Sequence, residues 1–162
     1  MSGRFSGHAP VAIGMLGTHM ERTVAHLIAS KGSDVWSVRP DATVYEALET
    51  MAERNVGALV VVDGGRLVGI LSERDYARKV ILLSRGSRET RVDEIMTPDP
   101  ITVSTTTSIG ECMQLMTDNR FRHLPIVEND EIIGVVSIGD VVRGVIEAQQ
   151  FMIEQLESYI TG

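Results

Sequence analysis

Apolar residues along this chain keep switching between helical and extended spacing. Val44, Ala47, Leu48 and Met51 recur at i, i+3, i+4 and i+7, which makes one apolar stripe on a helix. Thr43 and Glu46 stand ahead of it at capping-box spacing, so the helix opens at Thr43. Gly57 to Val62 predicts a buried strand, Asp63-Gly64-Gly65 a hairpin turn, and Arg66 to Leu71 the returning strand. A second helix is predicted from about Asp75 to Leu83. Upstream, Val24, Leu27 and Ile28 share a face of a short helix over Thr23 to Ser30, stopped by Lys31-Gly32. Val35 to Val38 predicts a short strand. Ser84 to Arg91 is polar and charged, a linker.

A shift of 65 residues reproduces the pattern without a gap. Ile101 to Val103 matches Trp36 to Val38. Ser108 and Glu111 take the capping-box places of Thr43 and Glu46, and Ile109, Cys112, Met113 and Met116 repeat the stripe. Leu124 to Val127, Glu128-Asn129-Asp130 and Ile132 to Val136 predict a second hairpin, followed by a helix from Asp140. Identical pairs include Val38/Val103, Met51/Met116, Leu59/Leu124, Gly69/Gly134, Ser72/Ser137, Asp75/Asp140 and Arg78/Arg143. The chain is thus a duplicated β-α-β-β-α unit of the α/β (α+β) class. One unit is too small to bury much apolar surface alone. The expectation is two units packed sheet to sheet around a pseudo-twofold axis.

The last helix is longer than its counterpart. Val141, Val145, Ala148, Met152 and Leu156 make a stripe along it, with Tyr159 near the end. It predicts a partner-binding or dimerising element, or a helix folded back on its own chain. The expected organisation is 20–86 for the first repeat with its N-terminal helix, 87–147 for linker and second repeat, and 148–162 for the helical extension. Residues 1–19 end in His19 before Met20 and read as a cloning leader or a poorly ordered arm.

Composition narrows the partners. A formal net charge of -7 disfavours nucleic acid or an acidic membrane surface as partner. The single cysteine, Cys112, excludes an internal disulfide, so a reducing, cytoplasmic setting is expected. No apolar run has the length of a membrane span. No P-loop, Gly-x-Gly-x-x-Gly, Gly-x-Ser-x-Gly or His-Glu-x-x-His occurs, and no Cys/His cluster has metal spacing. No metal cofactor and no catalytic residue is therefore expected. Cys112 lies on the helical stripe and reads as a buried, inert thiol.

The repeated stretch with chemistry in it is Gly69-Ile70-Leu71-Ser72-Glu73-Arg74-Asp75, which returns as Gly134-Val135-Val136-Ser137-Ile138-Gly139-Asp140. Each copy ends a strand at a Gly, turns at a Ser and starts a helix at an Asp. Ser-x-x-Asp there is close to an ordinary capping box. Two copies at matched depth in aligned repeats resemble a tandem pair of CBS (cystathionine β-synthase) domains, the Bateman module, over residues 23–147. Ser72-Glu73-Arg74-Asp75-Tyr76-Ala77-Arg78-Lys79, Val92-Asp93-Glu94-Ile95-Met96-Thr97, Met116-Thr117-Asp118-Asn119-Arg120 and Arg122-His123-Leu124-Pro125 are similar to the small stand-alone CBS pairs of bacteria and plant organelles.

The resemblance implies two clefts, a homodimer, and an adenosyl ligand such as AMP, ADP, ATP or NAD. The residues suit such a ligand. Asp75 and Asp140 can each accept from both hydroxyls of a ribose diol. Ser72 and Ser137 can donate to phosphate beside free N–H groups of a helix start, and Gly69 and Gly134 would let a ligand approach closely. The family places the base near Ser37-Val38 and Thr102-Val103. Arg74 could reach phosphate or be a surface charge. Arg120, Arg122 and His123 form a local cationic knot that suits an anion, or a solvated edge; the matching first-half residues are Asn55, Gly57 and Ala58. Unequal affinities of the two clefts are expected. The leading expectation is a non-catalytic adenine-nucleotide sensor that signals through a homodimer to a regulated partner. The alternative is a structural or protein-interaction dimer with vestigial nucleotide sites.

Overall fold

The computed structural model describes residues 22–32 and 34–161, so the expectation for residues 1–19 lies outside the described residues. The elements are α1 (Val24–Lys31), β1 (Ser37–Val38), α2 (Val44–Arg54), β2 (Ala58–Asp63), β3 (Arg66–Ser72), α3 (Glu73–Tyr76), α4 (Val92–Ile95), β4 (Thr97–Pro98), α5 (Ile109–Asn119), β5 (His123–Glu128), β6 (Glu131–Ser137) and α6 (Ile138–Thr161). The mixed α/β duplication is present, and the long C-terminal helix with it.

Each hairpin turns on two residues with positive φ, the twist that suits a two-residue connection. They are Gly64 and Gly65 in the first repeat and Asn129 and Asp130 in the second. Both hairpins carry the same irregularity, between Val61 and Val62 and between Ile126 and Val127. In the first sheet β1 runs parallel to β2, and β3 lies antiparallel to β2 and to β4. The second sheet is β5-β6. The strand expected over Ile101 to Val103 is reduced to a single parallel bridge, Val103 to Ile126.

Three local expectations need correction. The helix after β3 begins at Glu73, with Ser72 as its N-cap, so Asp75 sits inside its first turn and does not open it. Beyond Tyr76 the helix widens into a π turn over Ala77–Ile81. Thr43 and Glu46 form the full capping box, but among the described residues Ser108 forms only its forward half, accepting from the Glu111 N–H at 3.0 Å.

The helices are exchanged between repeats. α1 precedes the first repeat in sequence, yet Val24 and Leu27 are buried in the second repeat's core with Ile109, Cys112, Leu124 and Val141. α4 does the converse: Val92 and Ile95 enter the first repeat's core with Val44, Met51, Leu59 and Leu71. Backbone contacts match. The Val24 N–H donates to Thr107 O and the Val44 N–H to Thr90 O, each at 2.8 Å. A short helix with two apolar residues on one face cannot hold itself together in water. Burying those residues, at about 1.5–3 kcal/mol each, holds it in place. Close contact on α6 fixes α1 there, since a Cβ on Gly144 would stand 2.9 Å from Leu27 Cδ2 and 2.8 Å from Ile109 Cδ1.

On α6 the first part of the predicted stripe packs inward, with Val141 buried and Val145 against the core. Farther out, Leu156, Tyr159 and Ile160 are exposed.

Candidate functional site

Each repeat ends its hairpin where a helix must start, and Ser72 and Ser137 take that junction. Both copies form the reciprocal cap. The Asp75 N–H donates to Ser72 Oγ at 3.2 Å, and the Ser72 N–H donates to Asp75 Oδ2 at 3.0 Å. The Asp140 N–H donates to Ser137 Oγ at 3.1 Å, and the Ser137 N–H to Asp140 Oδ2 at 2.9 Å. The ordinary capping role of the motif is therefore real in both repeats. The cap uses Oδ2 of each Asp; Asp75 Oδ1 has Lys79 at 3.3 Å and Asp140 Oδ1 has Arg143 at 3.5 Å.

The two Ser-Asp pairs line two clefts of nearly equal size, about 370 Å3 for cleft 1 and about 360 Å3 for cleft 2. Each cleft takes its Ser and Asp from one repeat and its opposite wall from the other. Cleft 1 holds Ser72 and Asp75 against Arg120, Phe121, Arg122 and His123. Cleft 2 holds Ser137 and Asp140 against Asn55, Val56, Gly57 and Ala58. His123 lies between the two and lines both. A backbone bond ties each wall to a helix start, Glu73 N–H to Gly57 O at 3.0 Å and Ile138 N–H to Arg122 O at 2.8 Å.

Cleft 1 is cationic. Arg74, Arg78, Lys79, Arg120 and Arg122 line it against Glu73 and Asp75. Lys79 Nζ is 3.3 Å from Asp75 Oδ1 and donates to Ile95 O at 2.9 Å. Among the described residues the guanidinium groups of Arg74, Arg78, Arg120 and Arg122 make no salt bridge and no hydrogen bond. They repel one another: the Arg74 pKa is lowered, first by Arg78, then by burial, Arg122 and Arg120. Arg120 also sits in the left-handed region at φ 57, as the C-cap of α5. Asn55 fills that place on α2 at φ 53, a conformation Asn tolerates and Arg does not favour. The π turn helps to bring the adjacent Arg78 and Lys79 both to cleft 1, whereas Arg143, the α-helical counterpart of Arg78, does not line cleft 2.

Cleft 2 has a different charge pattern. Lys31 is its one Lys or Arg among the described residues, and Asp34 and Asp140 are its acids. Lys31 Nζ is 2.5 Å from Asp140 Oδ2, whose side chain is 7% exposed. Burial raises the Asp140 pKa, but Lys31 and the Ser137 N–H outweigh it, and the net shift is downward. The His123 pKa is lowered, chiefly by burial and then by the Lys31 charge.

The cationic knot of Arg120, Arg122 and His123 therefore joins Arg74, Ser72 and Asp75 in cleft 1, and Ser137 and Asp140 lie in cleft 2. Other expected site residues lie outside the lining of both clefts. Ser37, Val38 and Thr102 line neither cleft; Ser37 and Val38 are tied into β1, with Val38 packed on the first core. Gly69 and Gly134 line neither cleft. A Cβ on Gly69 would meet Met96 Sδ at 2.5 Å and Thr97 O at 3.0 Å, and one on Gly134 would meet Ile126 Cδ1 at 3.2 Å. Close approach is real at both, but the neighbour is the protein itself. Sequence reasoning missed Arg78, Lys79, Lys31 and Trp36 as cleft residues. Lys79 was readable, one helical turn after Asp75. Lys31 had no local signal, because its helix packs on the far repeat. Cys112 is buried, and burial lifts its thiol to about 11. No group of three or more His, Cys, Asp or Glu among the described residues could hold a metal. Among those residues no helix is long and apolar enough to cross a membrane.

The CBS domain family model matches residues 25–81 and 92–147. The chain belongs to the CBS domain family. Its two CBS repeats have a curated relative in the mitochondrial CBS domain-containing protein CBSX3 of Arabidopsis thaliana. The two are 45% identical over 150 residues, which cover 86% of this chain and 72% of CBSX3. Longer CBS proteins of the same plant also match; the chain spans 24% of CBSCBSPB5, at 39% identity. A solved CBS domain structure is 43% identical at a TM-score of 0.73 and covers 77% of this chain and 98% of its own. Another, of CBSX2 in complex with AMP, is 27% identical at a TM-score of 0.62, covering 78% and 97%.

Proposed function

We propose that this CBS pair is a non-catalytic regulatory module that takes an adenine nucleotide (AMP, ADP, ATP or NAD) in cleft 1 and signals through a homodimer to a protein partner. The observation that carries this reading is the meeting of four guanidinium groups, unpaired among the described residues, with Asp75 in one cleft. A nucleotide offers what that set lacks: phosphate oxygens for the planar forks of Arg and a vicinal diol for the carboxylate. The AMP found in CBSX2 supports the choice of adenosyl ligand. A reducing, cytoplasmic setting belongs to the same proposal, although the relative CBSX3 is named for the mitochondrion.

Calorimetry with the four nucleotides tests it. Asp75→Asn should weaken binding at least about tenfold, the scale of one lost charge-assisted hydrogen bond of about 1.5–3 kcal/mol. Failure of all four to bind the wild-type chain ends the reading.

The homodimer rests on a separate feature. Ile81 and Leu82 are 55% and 74% exposed at the end of the first repeat's helix. Val142 and Ile146 are 46% and 54% exposed on α6, and Ile146 is the counterpart of Ile81 by the 65-residue offset. A patch that nearly repeats under the internal symmetry suits a second copy of itself. Sedimentation of Ile146→Glu against the wild type tests this face, and an unchanged dimer removes it. The same face favours the interaction-dimer reading should cleft 1 prove empty.

A further inference from the structure

The two clefts have nearly the same volume and the same Ser-Asp pair, and each carboxylate has a lysine near it, but only in cleft 2 is that lysine in close contact, on a carboxylate 7% exposed against 16% for Asp75. Lys31 Nζ is 2.5 Å from Asp140 Oδ2 and also donates to Val135 O at 2.9 Å. The same Oδ2 accepts from the Ser137 N–H, and Oδ1 has Arg143 at 3.5 Å. Both oxygens through which Asp140 would hold a diol are thus taken. A neutral hydroxyl pair would have to displace an ammonium from a nearly buried carboxylate, and charge-assisted bonds are the stronger ones. In cleft 1 the lysine near the carboxylate is Lys79, from a different element; it sits 3.3 Å from Asp75 Oδ1 and gives its shorter bond to a backbone carbonyl.

We propose that Lys31 is a built-in counter-ion that keeps cleft 2 closed to a nucleoside, so that each chain takes one nucleotide, in cleft 1. Lys31 reaches Asp140 from a seated element. It is the last residue of α1, whose Leu27 packs beside Gly144 on α6 and whose C-terminus ends at Gly32 with φ 91. Lys31 is the one Lys or Arg lining cleft 2 among the described residues; Arg143 stands at Asp140 Oδ1 but outside that lining, and Asp34 and Asp140 are acids. Removing the ammonium therefore admits an uncharged nucleoside, adenosine, and not ADP. The stoichiometry rests on the nucleotide reading above; the opening of cleft 2 to adenosine does not.

Trp36 lines cleft 2, and it is the chain's one tryptophan, so its emission reports on that cleft. Calorimetry and Trp36 emission are followed with ADP and with adenosine. Wild type takes one ADP per chain without a change in emission, and Asp140→Asn keeps that stoichiometry. Lys31→Met, with Lys31→Gln as a second variant whose melting curve establishes folding, takes adenosine with a change in Trp36 emission at least about tenfold more tightly than wild type. Two ADP per chain in wild type would overturn the proposal. So would an ADP-induced emission change that Lys31→Met abolishes, because Lys31 would then be a phosphate ligand. Adenosine silent in both folded variants overturns it as well. If no chain takes ADP but the Lys31 variants take adenosine, the nucleotide reading falls and the role of Lys31 stands.

Discussion

Cleft 1 and cleft 2 are one construction shifted by 65 residues, yet among the described residues one is lined by five cations and the other by a single, neutralised one. Their capping boxes agree to within about 0.1 Å. The differences all lie in positions with no part in the cap: Arg74 against Gly139, Arg120 against Asn55, Arg122 against Gly57, and an α1 lysine that only cleft 2 receives. The lesson is that duplication fixes a scaffold through backbone and capping, while the facing wall sets the charge. Each wall comes from the other repeat, so a substitution in one half retunes the site of the other half.

The largest expected effect comes from reversing that charge. Arg122→Glu puts a carboxylate among the guanidiniums and beside Asp75, and should weaken ADP binding about 100-fold, or ~2.7 kcal/mol. Equal affinity in calorimetry would mean that the cations of cleft 1 face solvent and not a ligand. The next effect concerns the two matched glycines. Gly69→Ala drives a Cβ toward Met96 and, more stiffly, the Thr97 carbonyl, a backbone atom of β4. It should cost about 1–3 kcal/mol, which lowers the melting temperature by roughly 2–4 °C per kcal/mol. Gly134→Ala meets only the mobile end of Ile126 and should cost less than about 1 kcal/mol. Equal losses would show that β4 does not hold the first sheet as tightly as its pairing with Gly69 and Ile70 implies.

A third change separates stability from binding. Arg120→Asn gives cleft 1 the residue that cleft 2 carries at its left-handed C-cap. Relief of the backbone should raise stability by about 0.5–1 kcal/mol, while loss of a cation lowers ADP affinity about tenfold. Melting curves with and without ADP read both at once. A variant that loses stability as well would mean that Arg120 is held by packing rather than set against it.

What could be read from the sequence was local. Helical stripes, hairpin turns and the Ser-x-x-Asp caps depend on residues a few positions apart, and the 65-residue offset made each one visible twice. The clefts were half legible. Asp75, Ser72 and Arg74 share one segment, but no pattern within a repeat tells which Asp the Arg120–His123 wall will face. Gly69 and Gly134 signalled close approach without naming the neighbour, because β4 is two residues long and has no periodicity. Trp36 was read only as a strand residue, since its place in cleft 2 follows from β1 lying beside β2. The π turn over Ala77–Ile81 likewise had no turn residue to announce it.

The smallest effect distinguishes the clefts by pH. His123 lines both, and burial with the Lys31 charge holds its pKa below the ordinary histidine range. The unfolded chain then binds the proton more readily than the folded one. Stability from this group is complete above about pH 6.5 and falls as the pH drops below it. Asp140 has the opposite origin and a different window. Its pKa is below its ordinary value, so its contribution is present above about pH 4 and is lost as the pH falls through the folded value. A melting series from pH 7 to 5 should therefore decline less in His123→Asn than in wild type, and the two should fall together below pH 4. An anion in cleft 1 acts against the burial, because phosphate beside His123 favours its protonated form. ADP binding should then tighten modestly from pH 7 to 6 in wild type and not in His123→Asn. The same drift in both proteins would place the phosphate away from the wall that the two clefts share.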